Sequence, residues 1–193
     1  MEIEIKIPLK EYLSSDKMML HLRNKFGNPS EEITHIDTYF NSPIHNFQKT
    51  DEALRLRQIQ TTTGKERIEI TYKGPKKGKN MKIREEITIK ASNSSKVKNI
   101  LQNLGFNVFG MIKKRRINWI QENLLISFDI VEGLGSFLEI ETMINSRLSE
   151  EINRNKERII QLVKEIFPNW SGEDERKSYL ELIMEKQIKN QGT

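Results

Sequence analysis

Cysteine is absent from the 193 residues, and no long apolar run is present. The missing cysteines exclude a disulfide framework, thiolate zinc sites and a cysteine nucleophile. No segment approaches the roughly 20 apolar residues that a membrane-spanning helix needs. No apolar stretch of the signal-peptide kind follows the N-terminus, where a patterned segment begins at once. From these absences we expect a cytoplasmic protein that does not enter a membrane.

Charge is abundant instead. Charged residues make up 31% of the chain, above the usual level of about 25%. The formal net charge of +5 favours an anionic partner, which leaves nucleic acid, a phosphate compound or an acidic surface as candidates. The length and the 36% hydrophobic content suit one core, so we expect a single domain over residues 1–193, with a barrel core at 1–142 and C-terminal helices at 149–187.

Short segments with a two-residue period dominate the first three quarters of the chain. They predict eight strands, at Glu2–Ile7, His35–Phe40, Ala53–Gln58, Glu66–Lys73, Met81–Lys90, Ile112–Ile120, Leu124–Val131 and Phe137–Thr142. Helical spacing predicts four helices, at Glu11–Phe26, Ser95–Leu104, Ser149–Phe167 and Asp174–Gln187. Hairpin-like spacing between the strands favours a closed antiparallel barrel, because closure removes exposed sheet edges. The predicted class is therefore α+β, an eight-stranded β-barrel with helices packed on the outside.

The strands alternate between aliphatic and charged residues. In Glu2–Ile7 the even positions are charged and the odd ones are isoleucine, and several later strands repeat this pattern. The simplest interpretation of one such strand is a surface strand whose charged face is exposed to solvent. The amphipathic helices, however, must bury their apolar faces, and the aliphatic strand faces are the available surface. The charged faces then point into the barrel, where they must pair, hydrate or bind ions.

The charges of that interior suit one kind of ligand. Seven basic candidates face inward, namely Lys6, Arg55, Arg57, Lys73, Arg84, Lys113 and Arg115. Six acidic candidates face them, namely Glu2, Glu4, Glu86, Asp129, Glu139 and Glu141. Two divalent cations would raise the net charge from +1 to about +5, which approximately balances a triphosphate of about −4. Clustered carboxylates are the hard oxygen ligands that Mg²⁺ or Mn²⁺ prefers.

Seven blocks of the sequence resemble the CYTH superfamily of triphosphate tunnel metalloenzymes, in order from residue 2 to residue 141. The blocks are Glu2–Lys6, Asp37–Phe40, Leu54–Arg57, Thr71–Pro75, Lys113–Arg115, Phe128–Asp129 and Gly133–Glu141. A further stretch, Arg176–Leu182, is similar to the C-terminal part of the class IV adenylyl cyclases. The resemblance implies an eight-stranded tunnel, which agrees with the strand count reached from the periodicity.

The resemblance also implies roles for individual residues. Glu2, Glu4, Glu139 and Glu141 would hold Mg²⁺ or Mn²⁺. Substrate phosphates would be bound by Lys6, Arg55, Arg57, Lys73, Arg84, Lys113 and Arg115. Asp129, Lys6 and Glu86 would take part in catalysis, with Asp129 near the metal or positioning the attacking group. Glu86 is preferred to Glu85 as the inward acid because Glu85 shares a face with Ile83 and Ile87.

We therefore expect a metal-dependent enzyme that converts ATP into cyclic AMP and pyrophosphate. The same tunnel would serve a tripolyphosphatase, a nucleoside triphosphatase or a thiamine triphosphatase, which stays open as an alternative. A protein that binds a triphosphate or an RNA 5′ end without turnover is a further alternative, although inward acids would repel a nucleic acid backbone. A homodimer remains open. His21, His35 and His45 lack zinc-like spacing and are assigned structural or surface positions.

Overall fold

A computed structural model describes residues 1–9, 14–77, 82–145, 148–172 and 174–191, with side chains as far as residue 189. Its strands are β1 Glu2–Pro8, β2 Glu31–Asn41, β3 Ala53–Thr61, β4 Glu66–Lys73, β5 Lys82–Arg84, β6 Glu86–Ala91, β7 Asn107–Gln121, β8 Leu124–Val131 and β9 Gly135–Met143. Its helices are α1 Ser15–Phe26, α2 Phe47–Thr50, α3 Ser94–Asn103, α4 Ser149–Ile166 and α5 Tyr179–Gln191. Within the described residues, no helix combines the length and apolar composition that crossing a membrane requires.

All the strands belong to one antiparallel sheet, in the order β5-β1-β9-β8-β7-β2-β3-β4-β6. The two end strands, β5 and β6, follow each other in the chain with only Glu85 between them. The sheet is therefore a nearly closed barrel with helices outside, as the alternating pattern predicted.

The strand count differs by one from the eight predicted. The segment expected as a single strand at Met81–Lys90 is two strands, and Met81 itself lies outside the described residues. Arg84 pairs with Glu2 of β1, whereas Glu86 pairs with Lys73 of β4. Between them the carbonyl of Glu85 accepts a hydrogen bond from the backbone of Gly74 at 3.0 Å. Glu85 is thus the point where the chain changes partner and closes the barrel.

The outer face of the barrel carries the main apolar core. Isoleucines of β1 and β9, such as Ile3, Ile5 and Ile140, are at most 1% exposed and pack with side chains of α1 and α4. A smaller cluster around Leu56 and Ile68 lies with side chains of α3. The helices therefore cover the aliphatic strand faces, which leaves the charged faces directed inward.

Two helix starts differ from the sequence predictions. Helix α1 begins at Ser15, and the predicted turn at residues 11–13 lies outside the described residues. Helix α5 begins at Tyr179 instead of Asp174, because the backbone of Glu175 donates to the carbonyl of Lys6 at 2.7 Å. Ser178 and Glu181 then form reciprocal capping bonds at 3.2 and 2.6 Å, which define the start of the helix.

Candidate functional site

The barrel interior is a charged cavity of about 160 Å³, measured as the space open to the centres of water molecules. Fifteen charged side chains of the described residues belong to the tunnel part of this cavity, and four more, Asp51, Glu52, Lys76 and Glu181, lie at its mouth. The eight cationic ones are Lys6, Arg55, Arg57, Lys73, Lys82, Arg84, Lys114 and Arg116. The seven anionic ones are Glu2, Glu4, Asp37, Glu86, Asp129, Glu139 and Glu141. All line the cavity except Asp129, which lies directly behind the lining. The formal net charge of this set is +1.

Three carboxylates converge where β1 meets β9. Glu4 lies opposite Glu141 in the strand register, and Glu2 is on the same face of β1. One carboxylate oxygen of each lies within 4.8 Å of the others. Burial, together with the negative charge of Glu2, raises the pKa of Glu141 to about 7. We call Glu2, Glu4 and Glu141 the acidic cluster.

Cations pair with two members of the acidic cluster. Lys73 and Arg84 approach Glu2 at 3.2 and 3.4 Å, and Lys82 approaches Glu4 at 2.9 Å. Lys82 is 2% exposed, although it is not among the seven predicted inward cations. Its alternation with Ile83 and Arg84 was the signal that places it on the inner face.

Asp129 is the centre of a second group of charges. It accepts two hydrogen bonds of 2.6 Å from Arg116 and one of 2.7 Å from Lys114. The hydroxyl of Tyr179 donates to the same carboxylate at 2.9 Å. Arg116 also contacts Glu139, and although burial opposes ionisation, Lys114 and Arg116 hold the pKa of Glu139 well below its usual range.

A third group connects β2 with β3. Arg57 binds both oxygens of Asp37, at 2.6 and 2.7 Å. Burial raises the pKa of Asp37, but Arg57 outweighs it and the net shift is downward. His35, two residues earlier, is 3% exposed, and neither ring nitrogen has a hydrogen-bond partner among the described residues. Burial and the charge of Arg57 lower the pKa of His35, so its imidazole is neutral.

The remaining inward charges lie on β3, β4 and β6. Glu86 forms an ion pair with Lys73 at 2.6 Å, and its carboxylate lies 3.8 Å from the guanidinium of Arg55. Arg55 also donates to the hydroxyl of Thr71 at 3.3 Å. Glu85 is exposed and Glu86 is the inner acid of this pair, as strand parity predicts.

Two predicted site residues lie on the wrong face. Lys113 and Arg115 are outside the barrel, with side chains 54% and 50% exposed. They pair with Glu132 at 2.7 Å and with Glu32 at 2.7 Å. Their neighbours Lys114 and Arg116, only 2% and 5% exposed, occupy the tunnel instead.

The error follows from four consecutive basic residues, which carry no alternation of their own. The signal for the correct register lies further along β7. Ile117 and Trp119 are buried in the outer core beneath the helices, so odd-numbered positions of this strand face outward. Extending that parity back along the strand selects Lys114 and Arg116.

Helix α5 and the segment before it cover one end of the tunnel. The carbonyl of Lys177 accepts a hydrogen bond from the ammonium of Lys6 at 2.5 Å. The ring of Tyr179 lies 4.4 Å from the ammonium of Lys6 and 4.8 Å from that of Lys114. Burial, together with the positive charge of Lys82, lowers the pKa of Lys6 to about 7. The tail therefore contacts two of the inward cations directly.

Known proteins are similar to this chain in sequence and architecture. Residues 1–165 match the family model described as the CYTH domain. A Methanocaldococcus jannaschii protein named "Putative adenylate cyclase" is 36% identical over 184 residues, which cover 94% of this chain and 97% of that protein.

Solved structures show the same fold. A Pyrococcus horikoshii protein is 33% identical with a TM-score of 0.84, over 96% of this chain and 99% of that one. A Hippeastrum protein described as a "putative adenylyl cyclase" with a dominant triphosphatase activity has a TM-score of 0.66 at 18% identity, over 96% of each chain.

Proposed function

Because this chain belongs to the CYTH domain family, we propose that it is a divalent-metal-dependent enzyme acting on a triphosphate inside the barrel. The observation that carries the proposal is the composition of the tunnel. Eight cations and seven anions share the tunnel part of the cavity, and three of the anions converge, with one carboxylate oxygen of each within 4.8 Å of the others. Such an interior suits a ligand that is itself a polyanion accompanied by metal ions.

The acidic cluster has the chemistry of a magnesium or manganese site. Its three donors are carboxylate oxygens, the ligands that these hard cations prefer. The raised pKa of Glu141 reflects burial and the crowding of negative charge, and a bound cation would relieve that crowding. Bound Mg²⁺ or Mn²⁺ would withdraw charge from the phosphate oxygens as the leaving group departs. Glu139, the fourth predicted ligand, faces Arg116 and Lys6, so its part in metal binding stays a prediction.

The cations of the tunnel would bind the phosphate oxygens. The proposed set is Lys6, Arg55, Arg57, Lys73, Arg84, Lys114 and Arg116, in which the last two replace Lys113 and Arg115. Each of these cations contacts a carboxylate. Charge-assisted hydrogen bonds to phosphate would replace some of these contacts at little cost, because the cations are already desolvated and oriented.

The predicted catalytic residues divide into two kinds. Lys6 lines the cavity with its ammonium beside the tunnel cations, so we propose that it contacts the substrate at the reacting phosphate. Asp129 instead orients Lys114 and Arg116, and Glu86 orients Lys73. We propose Asp129 and Glu86 as positioning residues whose loss would misalign the phosphate-binding cations.

For the reaction we propose cyclisation of ATP, in which the ribose 3′-hydroxyl attacks the α-phosphorus and pyrophosphate leaves. The name of the Methanocaldococcus relative supports this choice. The second candidate is hydrolysis, in which water attacks the terminal phosphorus of ATP, tripolyphosphate or thiamine triphosphate. The activity stated for the Hippeastrum protein, which shares the fold, favours that candidate.

Product analysis distinguishes the two reactions. The purified protein is incubated with ATP, tripolyphosphate or thiamine triphosphate, each with Mg²⁺ and with Mn²⁺, and the products are separated by chromatography. We expect cyclic AMP and pyrophosphate in equal amounts from ATP. ADP and orthophosphate without cyclic AMP, or faster turnover of tripolyphosphate than of ATP, would establish the hydrolase. A Glu4→Gln preparation, purified identically, controls for contaminating enzymes.

A further inference from the structure

The cavity changes character toward the mouth beside α5. There the cavity is lined by apolar side chains of β2, α2, β7 and α5 in place of charged ones. These are Phe40, Phe47, Phe109, Leu180 and Met184. Two of the rings, Phe47 and Phe109, belong to different elements and border the same continuous space. We call this part of the cavity the apolar mouth. Phosphate binding by the tunnel cations does not require these apolar side chains, so they need a separate explanation.

The charged groups at this mouth have the opposite balance to those of the tunnel. Asp51, Glu52 and Glu181 line it, and Lys76 is the cation among them. Lys76 is itself held by Asp51 at 2.9 Å and by Glu181 at 3.1 Å. A phosphate chain that continued out of the tunnel would therefore meet a net negative charge. A neutral organic group would meet no such repulsion.

The Phe47 side of the apolar mouth is fixed by a hydrogen bond and by ring contacts. The backbone of Phe47 donates to the amide oxygen of Asn41 at 2.8 Å, which anchors the start of α2. The Phe47 ring contacts His45 edge to face at a centroid distance of 4.9 Å and lies 6.3 Å from Phe106. A rigid aromatic surface binds a flat partner with little loss of conformational entropy.

Helix α5 completes the opposite wall. Leu180 rests directly over Gly110, where even a methyl group would collide with the leucine side chain. The missing side chain at Gly110 thus lets α5 approach β7 closely. Leu180 and Met184 are brought beside Phe109 as a result.

We propose that the apolar mouth binds the base of a nucleoside triphosphate, held against Phe47 and Phe109, while the phosphates occupy the tunnel. This inference rests on the proposed function, since it assigns the organic part of the same substrate. It makes the protein selective for a triphosphate that ends in an aromatic group over an inorganic polyphosphate. Base–aromatic stacking of this kind tolerates different bases because every base has a flat π-face.

The test compares ATP with inorganic tripolyphosphate in two variants. Phe109→Ala removes a half-buried ring from the mouth, and Phe26→Ala removes a half-buried ring from α1 on the outside. We expect Phe109→Ala to raise the KM for ATP about tenfold, as loss of one stacking partner does. The inhibition constant of tripolyphosphate against ATP turnover should stay within about twofold of wild type, and Phe26→Ala should change neither value. Equal effects of Phe109→Ala on ATP and on tripolyphosphate, or no effect on ATP, would overturn the proposal.

A binding measurement separates this proposal from the proposed reaction. Calorimetry with α,β-methylene ATP and with tripolyphosphate, both in Mg²⁺, needs no turnover. Phe47→Leu serves as a second variant because it keeps an apolar side chain and removes the ring. Selective loss of nucleotide binding in both mouth variants would support the base site even if no product formed. Absence of turnover by the wild type would count against the proposed function alone, whereas unchanged nucleotide binding in both variants would refute the base site.

Discussion

Strand β7 carries four consecutive basic residues, and the barrel wall separates them into two pairs. Lys114 and Arg116 lie in the tunnel, at most 5% exposed, and contact Asp129 and Glu139. Lys113 and Arg115 lie outside, about half exposed, with partners on the surface. Identical side-chain chemistry thus meets two environments that differ only in strand parity.

The difference shows why an inward charge has consequences that an outward one lacks. A surface ion pair is solvated with or without its partner, so its contribution is about 0–1 kcal/mol. A buried charge has lost its water and depends on its partners, so removing one member leaves the other uncompensated. We therefore expect the tunnel cations to contribute both to the stability of the barrel and to substrate binding. Their outward neighbours should contribute little to either.

The largest expected effect concerns stability. Arg116→Met leaves Asp129 and Glu139 without their shared guanidinium, and we expect the free energy of unfolding to fall by about 3–5 kcal/mol. The matched variant Arg115→Met should change it by less than about 0.5 kcal/mol. Urea denaturation without added metal or substrate measures both. Equal losses in the two variants would remove the distinction between the faces.

The next effect concerns binding. Lys114→Met removes a proposed phosphate-binding cation, and we expect the affinity for tripolyphosphate in Mg²⁺ to fall by about 1.5–3 kcal/mol, as for a charged hydrogen bond. Lys113→Met should leave the affinity unchanged. Calorimetric titration provides the measurement, and a thermal melt of each variant confirms that it is folded at the temperature used. A weaker affinity in Lys113→Met than in Lys114→Met would restore the register predicted from the sequence.

The smallest expected effect concerns metal affinity and compares two of the acids inside the barrel. Glu141 belongs to the acidic cluster, whereas Glu139 on the same strand contacts Arg116. Removal of a residue that only orients a metal ligand costs about 10–100-fold in metal affinity, so we expect Glu141→Gln to raise the Mg²⁺ concentration for half-maximal activity at least about tenfold. Glu139→Gln should raise it less. Identical metal dependence in wild type and Glu139→Gln would remove Glu139 from the metal site, and an unchanged Glu141→Gln would remove Glu141.

Strand periodicity predicted most of the strands and which of their faces points inward. The alternation in β1 and β9 correctly placed Glu2, Glu4 and Glu141 on one inner face, because each strand offered a clean contrast between isoleucine and charge. The spacing of Ser178 and Glu181 is that of a capping pair and marks the true start of α5, five residues after the start predicted from its apolar spacing. The break at Glu85 had no local signal, because its cause is the change of partner from β1 to β4.

Composition and alternation by themselves determined that this chain forms a barrel with charge inside, because helices and strands must bury their apolar faces on each other. The tertiary structure alone decided which charges pair. Asp37 meets Arg57 across two strands, and Tyr179 reaches Asp129 from 50 residues away. The apolar mouth likewise unites Phe47 with Phe109 from separate elements. Such contacts depend on strand register and helix docking, which are set by the packing of the whole barrel and leave no periodic trace in the sequence.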